Sequence, residues 1–204
     1  MTGGLQWRKS TFPDYKANRD TTHKPHWYKE IQEYLIKYYN AEVIVSSEAD
    51  DAMAWHQWED SGTRVNDQFT AESCICTIDK DLNMVPGFHF NWNANKGKGD
   101  MFWIEPDTAD RVFFEQWLMG DNADNIPGIP KVGTVTAAKL LKDIPDDTEI
   151  LYDEVMRLWH DRTSQPAKFV HMIGDLLWME RVPGDKWDKH YGLTNKRVAN
   201  NAAW

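Results

Sequence analysis

The sequence predicts an α/β fold in which a mostly parallel central sheet is flanked by helices and followed by a helical C-terminal region. Short apolar runs at 43–45 and 74–78 are typical of strands buried in parallel sheets. Other segments repeat apolar residues every three to four positions, which indicates amphipathic helices. At 204 residues the chain is long enough to enclose a real hydrophobic core.

The order of these patterns divides the chain into three ranges. We expect an α/β core with a basic N-terminal arm at 1–106, a helical region at 107–182 and a mobile basic tail at 183–204. Within the core, apolar spacing predicts a helix over 25–39, with Pro25 in its first turn. A strand over 42–46 should follow.

Local signals fix several further boundaries. Ser47 is the expected cap of the helix after the strand at 42–46, with Asp50 as its partner in a partial capping box. A hairpin is predicted from the strand-like runs 88–92 and 101–104. Helices are predicted at 107–119, from Thr134 onward, and on both sides of a break near 164–166.

Composition limits the classes of function. The formal net charge is −9 and the isoelectric point is near 5.2, the wrong sign for a protein that binds nucleic acid through bulk charge alone. Either the acids form a local metal site beside basic patches, or nucleic acid is not a partner. No apolar run approaches the roughly 20 residues of a membrane span. Cys74 and Cys76 have no zinc-site spacing and no signal peptide precedes them, which indicates reduced thiols in the cytoplasm.

Seven carboxylates fall into three clusters, two at strand ends and one opening a loop after a helix: Glu48, Asp50 and Asp51; Asp79 and Asp81; Asp121 and Asp124. The carboxyl edge of an α/β sheet is where sites form. Packed together, these acids would repel one another strongly, which implies divalent cations. Oxygen ligands without histidine or cysteine favour Mg²⁺ or Mn²⁺, and two such ions about 4 Å apart can drive phosphoryl displacement. Any single cluster could instead be capping or solvated surface.

The stretch 120–141, GDNADNIPGIPKVGTVTAAKLL, joins the last acidic cluster to a tight turn and a helix N-terminus. Glycine lets a backbone approach a ligand closely, and a helix N-terminus favours a phosphate. The stretch resembles the helix–three-turn–helix signature of the flap endonuclease and 5′→3′ exonuclease family. Segments 7–19 (WRKSTFPDYKANR), 46–54 (SSEADDAMA) and 77–85 (TIDKDLNMV) resemble the same family in the same order, most closely its short phage members.

This resemblance implies a PIN-like 5′ nuclease fold and a set of site residues. Lys16 and Arg19 would contact the phosphate being cut, and the seven acids would hold Mg²⁺ or Mn²⁺, in two sites. A DNA phosphate would bind the turn, often through K⁺ in this family, with these residues involved: Gly128, Ile129, Lys131, Val132, Gly133 and Lys139. The implied substrates are flap, nicked or 5′-ended DNA and RNA–DNA hybrids, and a phage enzyme would work in the host cytoplasm.

The resemblance is incomplete at its start. Family members carry two further aspartates on earlier strands; the first is absent, and Gly3 or Gly4 stands where the second is expected. The chain could be truncated, could receive the missing strand from another polypeptide, or could act with fewer ligands. A methionine followed by small polar residues favours a genuine reading frame. A non-catalytic DNA-binding module, one subunit of a split nuclease and an acidic globular protein without nucleic acid remain the alternatives.

Overall fold

Short strands and helices alternate in the first half of the chain, and helices alone form the second half. The computed structural model describes residues 6–19, 24–45, 47–60, 64–65, 68–69 and 72–203, so Gly3 and Gly4 lie outside it. The helices are α1 (Gln6–Thr11), α2 (Tyr28–Tyr39), α3 (Ala49–Glu59), α4 (Ala94–Gly97), α5 (Pro106–Met119), α6 (Thr134–Leu141), α7 (Thr148–Arg162), α8 (Ala167–Leu177), α9 (Trp187–His190) and α10 (Thr194–Ala203). The strands are β1 (Arg64–Val65), β2 (Gln68–Phe69), β3 (Cys74–Cys76), β4 (Gly87–Asn91) and β5 (Asp100–Ile104).

The central sheet, in the order β3–β4–β5, confirms the α/β class. β3 runs parallel to β4, whereas β4 and β5 form the predicted hairpin and are antiparallel. The sheet is therefore mixed rather than mostly parallel among the described strands, because a short connection can join only antiparallel neighbours. A separate antiparallel pair is formed by β1 and β2.

The predicted strand at 42–46 is not formed. Ile44 alone takes part in a β-bridge and is buried, while Val43 and Val45 expose 49% and 75% of their surface. Ser46 lies outside the described residues. The apolar run therefore predicted the burial of Ile44 correctly, but the prediction of a paired strand was wrong.

α2 is a helix, as its spacing predicts, but it buries none of its residues. Its apolar side chains, Ile31, Tyr34 and Tyr38 among them, are all at least a third exposed. Pro25 precedes the helix, and its carbonyl accepts the amide of Tyr28. The amphipathic spacing thus predicted the helix, but the apolar face that it implied is not buried among the described residues.

The core is built around α5. Phe113 and Trp117 of this helix are fully buried and contact the rings of Trp178 and Trp187. The indole of Trp117 donates to the carbonyl of Val170 at 2.8 Å, so the polar atom of this large side chain is satisfied. The connected buried cluster includes residues from each of the three predicted ranges.

The basic tail, predicted to be mobile, forms α9 and α10 and is held by ion pairs. Arg197 contacts Asp175 at 2.6 Å and Asp188 at 3.2 Å, and Lys196 contacts Asp153 at 2.6 Å. These charges are therefore used within the chain. No helix in the described ranges is long and apolar enough to cross a membrane.

Candidate active site

The three acidic clusters converge on one region between the N-terminal arm, the start of α3, the turn after β3 and the loop after α5. A cavity of about 400 Å³ is lined by Lys16, Arg19 and five of the seven acids: Asp50, Asp79, Asp81, Asp121 and Asp124. A narrow pocket of about 30 Å³ shares Asp50, Asp81, Asp121 and Asp124 with it and adds Glu48. Six of the seven predicted acids therefore line the same site.

The start of α3 places Glu48 and Asp50. Glu48, rather than Ser47, is the N-cap, and its side chain forms a capping box with Asp51 instead of Asp50. The backbone amide of Glu48 donates to Asp51 at 3.2 Å. This shift of one residue from the predicted cap leaves Asp50 on the cavity wall.

Asp51 does not line the site. It is fully buried, and its two oxygens accept from both terminal nitrogens of Arg8 at 2.8 and 3.0 Å. The hydroxyl of Ser47 and the amide of Glu180 also donate to it. With all these donors its oxygens are occupied, which favours a structural role for Asp51 over the predicted role of metal ligand.

The N-terminal arm closes over the site through Tyr15, Lys16 and Arg19. The ammonium group of Lys16 lies 2.6 Å from Glu48 and 3.3 Å from Asp124, and Arg19 pairs with Asp124. The buried hydroxyl of Tyr15 lies 3.0 Å from an oxygen of each of these two acids. One hydroxyl carries one proton, so it donates to one carboxylate at a time and bridges the two.

The acids without cationic partners carry the electrostatic cost of the cluster. Burial, together with the charges of Asp79, Asp121 and Asp124, raises the pKa of Asp81 to about 6, against the opposing hydrogen bond from Gln116. Burial and neighbouring carboxylates also raise the pKa of Asp50 and of Asp121. Ionised carboxylates here repel each other, and a bound cation relieves this repulsion.

The carboxylate oxygens of this site are the type of ligand that a hard divalent cation prefers, and a bound cation would offset their repulsion. The fit is not preformed: within the described ranges, no three His, Cys, Asp or Glu side chains are grouped closely enough to hold an ion as they stand. Lys16 and Arg19 now pair with two of the acids. A metal ion at these acids would compete with Lys16 and Arg19 for Glu48 and Asp124.

The turn between α5 and α6 depends on two glycines that pack against each other. Gly120 has a φ of +67°, and a Cβ there would lie 2.4 Å from the amide nitrogen of Gly128. A Cβ on Gly128 would lie 2.0 Å from the carbonyl oxygen of Met119. The close approach that the sequence suggested at Gly128 is therefore made to the chain's own backbone.

Of the predicted DNA-binding residues, two have internal roles. Ile129 and Val132 are buried, and their amides donate to the carbonyls of Leu118 and Ile129. Lys131 and Lys139 are exposed. Gly133 caps α6, is exposed, and has open space where a Cβ would lie. The surface open to a ligand thus consists of Lys131, Gly133 and the first turn of α6.

Sequence reasoning missed three residues of the site: Arg8, Tyr15 and Gln116. Each contacts at least one of the seven acids and lines the narrow pocket. A signal existed for Gln116, since it is a polar residue between apolar ones on the buried face of α5. Arg8 and Tyr15 lie in an arm whose burial no periodicity indicates.

No protein-family model matches the chain. Among curated proteins it is similar to the exodeoxyribonuclease of Enterobacteria phage T3, with 28% identity over 184 residues, 75% of this chain and 58% of the relative. It is similar to DNA polymerase I of Lactococcus lactis, with 31% identity over 173 residues, 76% of this chain and 19% of the polymerase. It is also similar to the flap endonuclease Xni of a Shewanella strain, with 29% identity over 145 residues, 68% of this chain and 53% of the relative. The chain thus spans little more than half the length of the phage T3 exodeoxyribonuclease and of the Shewanella flap endonuclease Xni.

Two solved structures share the fold of this chain. A complex of the bacteriophage T5 flap endonuclease with DNA and metal ions has a TM-score of 0.57 at 14% identity, covering 98% of this chain and 81% of that chain. A T5 protein co-crystallised with metal ions has a TM-score of 0.55, covering 98% and 82%. With the acidic clusters and the turn in family order, the chain is similar in sequence and in fold to the flap endonuclease and 5′→3′ exonuclease family.

Proposed function

We propose that this protein is a metal-dependent 5′ nuclease, a 5′→3′ exonuclease or flap endonuclease. It hydrolyses phosphodiester bonds in DNA, or in RNA primers annealed to DNA. The observation that carries the proposal is the convergence of six acids and two cations, Lys16 and Arg19, on one cavity. Its similarity to an exodeoxyribonuclease and a flap endonuclease supports the same reaction.

Six acids would hold two Mg²⁺ or Mn²⁺ ions: Glu48, Asp50, Asp79, Asp81, Asp121 and Asp124. When bound, such ions lower the pKa of a water and stabilise the leaving oxygen of a phosphate ester. The chain's own contribution is a partly buried cavity lined by charged side chains, where an interaction between charged groups is stronger than in bulk water.

Lys16 and Arg19 would hold the phosphate that is cut. Both already reach over the cavity, where they pair with Glu48 and Asp124. Cations that take over these carboxylates would free both side chains for the phosphate. Arginine then offers a planar fork of donors, and lysine offers a mobile point charge.

Duplex DNA would be anchored by the turn before α6. Gly133 leaves room for a phosphate at the helix N-terminus, and Lys131 and Lys139 add exposed positive charge. K⁺ bound by main-chain groups of 128–133 could bridge to the phosphate. The substrates we expect are flap, nicked and 5′-ended duplexes, in a cytoplasm that keeps Cys74 and Cys76 as free thiols.

The test is cleavage of a 5′-labelled flap and of a nicked duplex by the 204-residue chain with Mg²⁺, Mn²⁺ or EDTA. We expect metal-dependent cutting that Asp81→Ala abolishes and Lys16→Ala strongly reduces. Lys168→Ala, an exposed lysine on α8, is the matched control and should cut normally. Cutting that survives Asp81→Ala would refute the assigned site.

The second candidate is a DNA-binding subunit that needs another polypeptide for catalysis. One observation favours it: Val43 and Val45 are exposed in a strand-like run whose described residues pair only through Ile44. A strand from a partner could cover them. DNA binding without cutting by the chain alone, with cutting restored by an added peptide, would support this candidate over a stand-alone nuclease.

A further inference from the structure

Gln116 stands out on the buried face of α5. The helix buries Phe113, Phe114, Trp117 and Leu118 against the core, and Gln116 is 7% exposed among them. Burying an amide is unfavourable unless it is hydrogen-bonded. Its nitrogen Nε2 donates to Oδ1 of Asp81 at 2.9 Å, and both residues line the narrow pocket. The side-chain amide of Gln116 thus points at the acidic cluster.

Asp81 differs from the acids that pair with cations in the donor it receives; Asp79 and Asp121 likewise accept neutral donors, but from backbone amides. Glu48, Asp51 and Asp124 pair with the cationic side chains of the N-terminal arm. Asp81 receives a neutral amide at Oδ1, and among the described residues no donor contacts its Oδ2. A neutral donor fixes a carboxylate without cancelling its charge. The full charge of Asp81 therefore remains for a cation.

The backbone around Asp81 is fixed by the same helix. Asp81 opens a 3₁₀ turn that packs against α5, and its amide donates to Asp79 at 3.1 Å. The side chain needs a separate constraint, since an aspartate on a short turn can still rotate about its Cα–Cβ bond. The amide of Gln116 supplies that constraint.

We propose that Gln116 is a positioning residue for metal binding: it holds Asp81 in the orientation that presents the second carboxylate oxygen to a divalent cation. The proposal rests on the proposed function, because it requires that Asp81 bind metal. Hydrogen bonds to ligating carboxylates orient the ligand, and their removal weakens metal binding by about 10- to 100-fold.

A buried glutamine could be purely structural, and Gln57 of α3 is the matched example. It is 1% exposed, its nitrogen donates to the carbonyl of Phe88 at 2.9 Å, and its oxygen accepts from Ser73. It contacts none of the seven acids in the hydrogen bonds of the described residues. Gln57→Met therefore measures what the loss of a buried amide does to the fold alone.

The experiment is titration of the metal-free full chain with Mn²⁺ by calorimetry, with thermal unfolding to confirm that each variant is folded. The chains are wild type, Gln116→Met, Gln57→Met and Asp81→Asn. We expect a dissociation constant about 10-fold or more higher for Gln116→Met, no change for Gln57→Met, and loss of that site in Asp81→Asn. Gln116→Asn keeps the amide but shortens its reach. It should weaken binding similarly, and it replaces Gln116→Met if that variant does not fold.

The outcomes separate this proposal from the proposed function. If wild type binds Mn²⁺, Asp81→Asn loses it and both Gln116 variants bind within twofold of wild type, the positioning role is overturned and the metal site stands. Equal weakening by Gln57→Met and Gln116→Met also overturns it, since the effect would then follow from the fold. Absence of Mn²⁺ binding by wild type overturns both proposals.

Discussion

Replacing Arg8 by methionine should be the most damaging single change in the N-terminal arm. Its guanidinium binds both oxygens of Asp51, at 2.8 and 3.0 Å, and the carbonyls of Leu176 and Trp178 at 3.2 and 3.0 Å. Methionine keeps much of the side-chain length and removes all four hydrogen bonds. Asp51 is then left as a buried charge with only neutral donors.

The magnitude follows from what remains around Asp51. Removing one partner of a buried ion pair costs about 3–5 kcal/mol because the other charge is left uncompensated. Ser47 and the amide of Glu180 still donate to Asp51, which favours the lower end, while the two carbonyls that lose a donor add to the cost. For a chain of this size each 1 kcal/mol lowers the melting temperature by about 2–4 °C, so we expect a fall of about 6–20 °C.

The assay is urea unfolding of wild type, Arg8→Met, Asp51→Asn, the double variant and Lys9→Met. Lys9 is the next residue on α1 and is exposed, so its loss should change the free energy of unfolding by less than about 0.5 kcal/mol. The double variant should lose less free energy of unfolding than Arg8→Met and Asp51→Asn lose together. A cost below about 1 kcal/mol for Arg8→Met would refute the reasoning, since a buried uncompensated charge costs more than that.

The ion pair between Arg8 and Asp51 also makes the free energy of unfolding depend on pH. Burial alone would raise the pKa of Asp51, but the hydrogen bonds and charge of Arg8 outweigh it and lower the pKa. A carboxyl whose pKa is lowered by folding stabilises the protein above its unfolded pKa of about 3.9 and loses this effect as the pH falls through the folded pKa. The stabilisation that ionised Asp51 gives to wild type, measured against Asp51→Asn, should therefore be constant near pH 7 and shrink below about pH 4.

Three further changes test other parts of the structure. Tyr15→Phe should lower the free energy of unfolding by about 1.5–3 kcal/mol, the value of a hydrogen bond to a charged group, and no loss in urea unfolding would contradict the bridging role. Gly174→Ala gains about 1 kcal/mol of helix propensity but places a Cβ 2.5 Å from the ring of Trp117. We therefore expect a net loss of stability in thermal unfolding. Gly133→Ala, where a Cβ would meet open space, should leave stability unchanged. Lys139→Ala should reduce the slope of log K against log salt for duplex binding by about 1, and an unchanged slope would exclude a phosphate contact.

The elements that sequence predicted well are those whose signals are local. The break near 164–166 appears between α7 and α8, and the turn after Met119 begins at Gly120, where only a glycine avoids a clash with Gly128. In the site, chain order and residue type indicated which acids come together: five of the seven line the cavity, and Glu48 lines the narrow pocket beside it.

The features that sequence could not predict depend on distant contacts. The orientation of Asp51 is set by Arg8, 43 residues earlier, and by the amide of Glu180, 129 residues later. No local pattern distinguishes its carboxylate from that of Asp50. The tail was predicted to be mobile because it is basic, but its charges meet Asp153 and Asp175, which only the folded chain brings near.

The contacts of Arg8 have a consequence for the timing of synthesis. Its guanidinium binds the carbonyls of Leu176 and Trp178, 168 and 170 residues further along the chain. A ribosome makes the arm first and these acceptors near the end, so Arg8 cannot adopt its final place until both have left the exit tunnel. The acidic cavity that depends on this arm is therefore completed only after the segment around Leu176 and Trp178 has been synthesised.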